Sequence, residues 1–408
     1  MSVIVFALNG LPAGWLGAYG NDWVGTPHLD RLAAEAVVFD RHISDRPEPT
    51  AARRAWLDGT LPFGSRLNEL TKTILVRANH PDTDGPDWFY AGWGEVFDAR
   101  PQPDDDSPLE HLLHSLPTIL ERLANVPDFL LWIETDRLIP PWDVQQDVFE
   151  AYLNDEEEAP ARVEEEEDEE DEDAADIASV PAPLEPVPPF ADPPTGPFDR
   201  ADPDAWDWLH KTFAAVVTKL DAELGAAFDI LRERGLGERA AWLVTSDFGY
   251  PLGEHGQIGL HRPWLHEELV HLPLVLRLPN AEQAGRRVAG FTQPPDVFPT
   301  LLAILGVTPP AEASGFSLLP LARGEESRRL FAVTQLELGD AAEIALRTAD
   351  SALLVPTRVP DGDPPRDPLL YEKADDRWEV NNVRQGNIDR ADELEAQLRE
   401  EIQKRGHR

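Results

Sequence analysis

The sequence predicts an α/β protein with a mostly parallel central sheet, helices on both faces of that sheet, and a small antiparallel sheet near the C-terminus. Short continuous apolar runs, typical of strands buried on both faces, alternate with segments in which apolar residues recur at helical spacing. This alternation favours parallel strands that are connected through helices. The last part of the chain instead carries several short strand-like segments in succession, as expected for a small antiparallel sheet.

The elements of the larger domain are predicted in chain order. Short apolar runs predict strands at residues 3–8, 129–133, 240–244 and 273–278. Apolar residues at helical spacing from Phe213 to Leu231 predict a helix, and Gly235 supplies a stop signal after it. We place this domain at residues 1–325.

The C-terminal subdomain is predicted at residues 326–408. Residues 331–338, 344–347 and 353–356 form its expected antiparallel strands. Residues 389–404 form an amphipathic helix with Leu394, Leu398 and Ile402 on one stripe.

The composition excludes several function classes. The chain has 408 residues, a formal net charge of −40 and no cysteine. The negative charge argues against nucleic acid or an anionic membrane as a partner. The absence of cysteine excludes disulfides, thiolate metal sites and a cysteine nucleophile. Because the N-terminus lacks a signal-peptide pattern and no apolar run reaches membrane length, we expect a cytoplasmic protein.

A charged, low-complexity tract interrupts the larger domain. Residues 155–176 contain fifteen carboxylates and one arginine, and a proline-rich stretch follows at residues 180–203. Like charges at this density repel one another and offer no apolar face for burial. We therefore predict a disordered insertion at residues 155–203. It is interpreted as a solvating spacer, with a docking segment for a basic partner or a weak cation sink as alternatives.

Several segments in the same order resemble one enzyme family. Residues 245–249 (Thr-Ser-Asp-Phe-Gly) and 252–256 (Leu-Gly-Glu-His-Gly) resemble the Thr-Ser-Asp-His-Gly…Leu-Gly-Glu-His-Gly signature of sulfatases, in the alkaline phosphatase superfamily. Residues 26–33 are similar to the family's first helix, and residues 369–382 to its late Leu-Tyr-Asp-Leu…Asn-Asn-Leu element. The resemblance implies an alkaline-phosphatase/sulfatase-like fold.

The same resemblance implies a divalent metal site, which this chain has lost in large part. The family uses two adjacent aspartates after the first strand, and an aspartate with the residue that follows it in the signature. The corresponding residues here are Asn9, Gly10, Asp247 and Phe248. One carboxylate cannot balance a divalent ion, so no cofactor is expected, and calcium or magnesium only if hydrolysis survives. Alternatively, Asn9 and Asp247 are hydrogen-bonded strand ends.

The family's nucleophile motif, Cys/Ser-x-Pro-Ser-Arg, corresponds to residues 47–59. An ungapped alignment places Pro49 at the nucleophile and Arg53 at the arginine, whereas a one-residue deletion places Thr50 and Arg54 there. Thr50 is thus a possible nucleophile, and the alternative is that it caps a helix that starts at Ala51.

Two further family positions also differ. Ile139 stands where the family has the histidine of a Pro-His-x-Pro loop, and Gly259-Leu260 replaces a Gly-Lys pair. His261, one position further on, is the remaining acid–base candidate, with an ordinary loop residue as its alternative.

These losses affect the metal, the nucleophile and the proton donor together. The first hypothesis is therefore a sulfatase-fold pseudoenzyme that acts through binding or assembly, with an unknown protein or a small anionic ligand as partner. The second is a divergent sulfuric or phosphoric ester hydrolase that uses Thr50. The third is an acidic scaffold in which the fold carries the charged insertion.

Overall fold

The computed structural model describes residues 1–57, 71–79, 86–101, 109–154, 187–309 and 313–406. Within these residues, nine strands form one central sheet: β1 (Ser2–Leu8), β2 (Val37–Ile43), β3 (Lys72–Arg77), β4 (Glu95–Asp98), β5 (Phe129–Thr135), β7 (Ala240–Thr245), β9 (His271–Leu272), β10 (Leu274–Arg277) and β11 (Arg286–Thr292). Two short strands, β6 (Gly196–Pro197) and β8 (Gln257–Ile258), pair separately.

The central sheet is mostly parallel, as predicted. Its strand order is β11-β2-β10-β7-β1-β5-β3-β4, with β9 paired to the end of β2. Only β9 and β10 pair antiparallel with their neighbours within the described residues. In the centre of the sheet, Val5 lies opposite Trp132 on one side and Leu243 on the other. Every residue of β1, β5 and β7 is buried, which explains their continuous apolar sequences.

Helices cover both faces of the sheet. Those in the described residues are α1 (Pro27–Ala34), α2 (Pro49–Trp56), α3 (Asp87–Ala91), α4 (Glu110–Leu123), α5 (Gln146–Asn154), α6 (Pro203–Glu233), α7 (Leu236–Arg239), α8 (Glu267–Val270), α9 (Val297–Ile304), α10 (Leu319–Ala322) and α11 (Ile388–Gly406). Residues of α1, α4 and α6 form the core on one face, and residues of α2, α3 and α9 form the core on the other.

Helix α6 is longer than the apolar pattern predicts. It begins at Pro203 because Asp202 accepts a hydrogen bond from the Ala205 N–H, which caps the first turn. It ends as predicted before Gly235, whose φ of 66° is readily adopted by glycine.

The C-terminal part contains the predicted antiparallel sheet. Strands β12 (Ala332–Leu338), β13 (Ala341–Arg347), β14 (Ser351–Arg358) and β15 (Leu369–Glu372) pair in chain order. Leu394 and Leu398 of α11 pack against this sheet, as their helical spacing indicates. Strand β15 was not predicted from the sequence, and the domain boundary at residue 325 stays a prediction.

The prediction of disorder is wrong for residues 187–203. Phe190 stacks on Trp208 with ring centroids 5.1 Å apart, and its N–H donates to Thr212 Oγ1. The Phe198 N–H donates to the Gly256 carbonyl beside the β6–β8 pair. A few aromatic anchors therefore fix a stretch whose proline content suggested an extended, mobile chain. The remainder of the predicted insertion, residues 155–186, lies outside the described residues.

Replacing residues 155–186 with a short glycine–serine linker is expected to shift the melting temperature by only a few degrees, because a tract of like charges adds no apolar burial.

Phe190→Ala in the full chain is expected to lower the free energy of unfolding by about 1–3 kcal/mol, since it removes the ring stack. Thermal and urea unfolding measure both changes. A large loss of stability in the linker variant would show that the tract packs on the domain.

Candidate functional site

Four parallel strands end at one edge of the central sheet and bring polar residues together there. Asn9 follows β1, Asn79 follows β3 by two residues, and Asp247 follows β7 by two residues. Glu134 is the penultimate residue of β5. All four side chains are buried. This is the edge at which open α/β sheets place their sites.

Asp247 ties the ends of β1 and β7 together. Its Oδ1 accepts hydrogen bonds from the backbone N–H groups of Gly10 (3.0 Å) and Phe248 (2.9 Å). Within the described part of the chain, its Oδ2 has no hydrogen-bond partner. Burial raises the pKa of Asp247 to about 6, against the lowering effects of Arg53 and the two backbone N–H groups.

Arg53 supplies the positive charge of this site. Its Nη2 lies 3.3 Å from Glu134 Oε2, and the two residues are 3% and 0% exposed. Glu134 Oε1 accepts further hydrogen bonds from Asn79 Nδ2 (3.1 Å) and the Tyr90 hydroxyl (3.0 Å). Burial lowers the pKa of Arg53, but the carboxylates of Glu134 and Asp247 outweigh it and raise the pKa above its ordinary value. We call Arg53, Glu134 and Asp247 the buried charge cluster.

Helix α2, which carries Arg53, begins earlier than predicted. Glu48 is its N-cap residue with extended dihedral angles (φ −150°, ψ 135°), and Pro49 is the first helical residue. Proline suits this position because its φ is already helical and its missing N–H has no helical partner there. Thr50 is therefore inside the first turn, and the prediction that it caps a helix from Ala51 is wrong.

The two arginines of α2 lie in different environments. Arg53 is buried in the charge cluster, whereas Arg54 is exposed, with its guanidinium over the Trp88 ring at 5.7 Å. Half-buried Thr50 lies one helical turn before Arg53. The structure therefore favours the ungapped alignment, in which Pro49, without a nucleophilic group, corresponds to the family's nucleophile.

Gly10 cannot readily be replaced by a ligating residue. Its φ of +85° lies in the left-handed region, which favours glycine. A Cβ at this position would lie 3.0 Å from Ile139 Cγ1. The family resemblance assigns polar side chains to positions 10 and 139. In this chain Gly10, in a backbone turn, and the Ile139 side chain next to it occupy these positions.

The residues at the family's metal positions do not fit a divalent cation. Two buried side-chain oxygens at these positions have no hydrogen-bond partner within the described residues: the amide oxygen Asn9 Oδ1 and the carboxylate oxygen Asp247 Oδ2. Calcium takes about six to eight oxygen ligands. Phe248 is 4% exposed and packs in the apolar core, where it offers no ligand atom. Across the described ranges, no group of three or more His, Asp or Glu side chains is arranged to hold a metal ion.

The two loop histidines are placed outside the charge cluster. His261 is exposed. His255 Nδ1 lies 2.8 Å from Glu268 Oε1, and its ring stacks on His266 at 3.7 Å. Burial lowers the pKa of His255, but the Glu268 contact outweighs it and raises the pKa to about 9. His255 therefore has a structural role in this loop.

Three residues of this site were not predicted from the sequence: Glu134, Asn79 and Tyr90. One signal was available for Glu134: an acidic residue directly after the apolar run at 129–133, where a parallel strand ends. No local signal marks Asn79 or Tyr90, because each reaches Glu134 only through the packing of its own element, strand β3 or helix α3, near the end of β5.

Comparison with known proteins places this site in context. The Sulfatase family model matches residues 157–307. An N-acetylglucosamine-6-O-sulfatase of Bacteroides thetaiotaomicron is 31% identical over 115 residues, which is 28% of this chain and 20% of that protein. The multifunctional alkaline phosphatase superfamily protein PehA of Trinickia caryophylli is 35% identical over 121 residues, 29% of this chain and 23% of that protein. These alignments span about a fifth of the relatives' length.

Two solved structures share the fold over nearly the whole chain. The phosphonate monoester hydrolase of Agrobacterium radiobacter superposes with a TM-score of 0.70 at 17% identity, covering 100% of this chain and 95% of that one. BT4656, solved with D-glucosamine-2-N,6-O-disulfate, gives a TM-score of 0.73 at 18% identity, covering 99% and 97%. Residues 157–307 thus match the Sulfatase family, and nearly the whole chain shares its fold with a phosphonate monoester hydrolase and with BT4656.

Proposed function

We propose that the protein is a non-catalytic member of its family that acts by binding rather than by ester hydrolysis. One observation carries the proposal: the cation that faces Asp247 and Glu134 is the protein's own Arg53. An ester hydrolase of this kind needs a positive centre that an incoming substrate oxygen can contact. Here the positive charge is already held by a buried carboxylate.

The burial of the cluster supports the same conclusion. Asn9, Arg53, Glu134 and Asp247 are between 0% and 3% exposed. A substrate could reach them only if the surrounding side chains moved. Arg53 also stays protonated at neutral pH, because its carboxylate neighbours raise its pKa. It therefore cannot act as a general acid or base.

The alternative is a divergent hydrolase of sulfuric or phosphoric esters that uses Thr50. One observation favours it: Thr50 is half-buried and precedes Arg53 by one turn of α2, so a hydroxyl and a guanidinium lie on the same side of one helix. One of the named relatives is a sulfatase, and one of the structural neighbours is a phosphonate monoester hydrolase. Calcium or magnesium would be required under this alternative, since a threonine hydroxyl needs activation.

We expect no turnover of aryl sulfates, phosphate monoesters, phosphate diesters or phosphonate monoesters above background at neutral pH. The assay uses purified full-length protein with calcium, magnesium, manganese or zinc added separately. Thr50→Ala is the matched control, and it should give the same background rate as the wild type. Turnover that disappears in Thr50→Ala would overturn the proposal. So would one tightly bound cation per chain, measured by metal analysis, that Asp247→Ala abolishes.

A further inference from the structure

One cavity of the protein is separate from the buried charge cluster. It is a cleft of about 520 Å³ between strands β2 and β11 of the central sheet and the loops that follow β13 and β15. Its lining contains no residue of the charge cluster. The volume is within the range of small-ligand sites, about 300–1,000 Å³.

The lining of this cleft is basic in a strongly acidic protein. It carries five cationic side chains: Arg41, Arg287, Arg347, Lys373 and Arg377. Among the described residues that line the cleft, only two carboxylates, Asp40 and Glu267, oppose these cations, and Glu379 behind the lining pairs with Arg347 and Lys373. The chain as a whole has a net charge of −40. A local surplus of positive charge within such a chain attracts and orients small anions.

Two of the arginines favour the binding of an anion in the cleft. Arg347 is 2% exposed, and its Nη2 donates to both carboxylate oxygens of Glu379 at 2.8 and 3.0 Å. Its Nη1 is buried without a hydrogen-bond partner in the described residues. Arg41 Cζ lies 5.3 Å from the centre of the Phe291 ring, and Arg41 forms no ion pair with any residue that the structure describes. Because Arg347 is nearly fully buried, its positive charge attracts an anion from beneath the lining, whereas Arg41 donates hydrogen bonds to the anion directly.

The cleft also has an apolar wall. Tyr19, Ile43 and Phe291 contribute to the lining. The Tyr19 hydroxyl accepts from the Leu274 N–H at 2.8 Å, so this group is already engaged with the sheet backbone. An organic part of a ligand can pack against these side chains while its charged group contacts the guanidinium groups.

From these contacts we propose that the cleft between β2, β11 and the C-terminal sheet binds a small organic anion with two negative charges, such as a phosphate monoester. Arg41 contacts the charged group, Arg347 adds its positive charge from beneath the lining, and Phe291 packs against the organic part. The site is independent of the buried charge cluster, so it exists whether or not that cluster retains catalysis.

Isothermal titration calorimetry of the full-length protein at low ionic strength tests this inference, with inorganic phosphate and phenyl phosphate as probes. We expect one site per chain, with phenyl phosphate bound more tightly than phosphate because its ring adds apolar contact. Arg41→Gln should weaken binding about tenfold, as expected for the loss of one charge-assisted contact.

The matched control is Arg122→Gln, which removes an equal charge. Arg122 also stacks over a phenylalanine, Phe97 at 4.8 Å, but it lies outside the cleft. This control and Asp247→Asn should leave the affinity within about twofold of the wild type. Absence of binding at millimolar probe, or an equal loss in Arg41→Gln and Arg122→Gln, would refute the cleft as the site. Thermal unfolding tests whether each variant is folded. Arg287→Gln is a second substitution in the lining of the cleft. Release of phosphate from phenyl phosphate would contradict the proposed function without affecting this inference.

Discussion

Arg53→Gln is expected to lower the free energy of unfolding by about 3–5 kcal/mol, the cost of removing one partner of a buried ion pair. The substitution leaves Glu134 and Asp247 without their cation in a region that water does not reach. Glutamine retains a hydrogen-bonding group but no charge, so the change isolates the electrostatic role of Arg53. Urea unfolding at neutral pH measures it.

The neighbouring arginine offers a matched control. Arg54→Gln changes the same residue type on the same helix, but Arg54 is exposed over Trp88. It should change the stability by no more than about 0.5 kcal/mol. A second variant, Arg53→Gln/Glu134→Gln, should recover part of the loss, with a coupling energy of about 1–3 kcal/mol, because the neutral amide that replaces the Glu134 carboxylate needs no counter-charge.

The result also bears on function. In a metal-dependent hydrolase, a bound cation would balance the carboxylates, and loss of the arginine would mainly reduce turnover. If Arg53→Gln is as harmless to stability as Arg54→Gln, another cation must stabilise Glu134 and Asp247. That outcome would contradict the proposal that Arg53 is the structural cation of this site.

The sequence predicted the fold well because its signals are local and repeated. The apolar runs at β1, β5 and β7 are buried on both faces, and each is visible in a few consecutive residues. Errors occurred where one contact across the fold decides the outcome. Residues 187–203 are ordered by Phe190 stacking on Trp208, which no local pattern reveals.

The site was predictable only in part for the same reason. The shared position of Asn9, Gly10, Asp247 and Phe248 could be inferred, because these residues follow strands and correspond to positions of a known signature. The choice between Arg53 and Arg54 could not, because it depends on which face of α2 packs against the sheet. The start of that helix was shifted by Pro49, whose preference for the first helical position outweighed the capping tendency of Thr50.

Asp247→Asn is expected to raise the free energy of unfolding at pH 7 by about 2–3 kcal/mol. The pKa of Asp247 is raised by burial to about 6 in the folded protein, whereas an unfolded aspartate has a pKa of about 3.9. Between these values the folded state binds more protons than the unfolded state. Ionisation of Asp247 therefore lowers the free energy of unfolding as pH rises from about 4 to 6. Above pH 6 the full cost of the ionised, buried carboxylate remains.

Asparagine removes this cost while its Oδ1 can still accept from the Gly10 and Phe248 N–H groups. The stability difference between variant and wild type should thus be small near pH 4, grow to pH 6 and stay level above it. Asp229→Asn, at a 65% exposed side chain on α6, is the control. Its stability should differ from that of the wild type by no more than about 0.5 kcal/mol at every pH.

Repeating the series with calcium distinguishes the proposed non-catalytic function from the metal-dependent hydrolase alternative. A ligand of the folded state stabilises it by mass action, so a metal held by Asp247 would make the wild type, and not Asp247→Asn, more stable when calcium is added. We expect calcium to leave the difference between the two proteins unchanged.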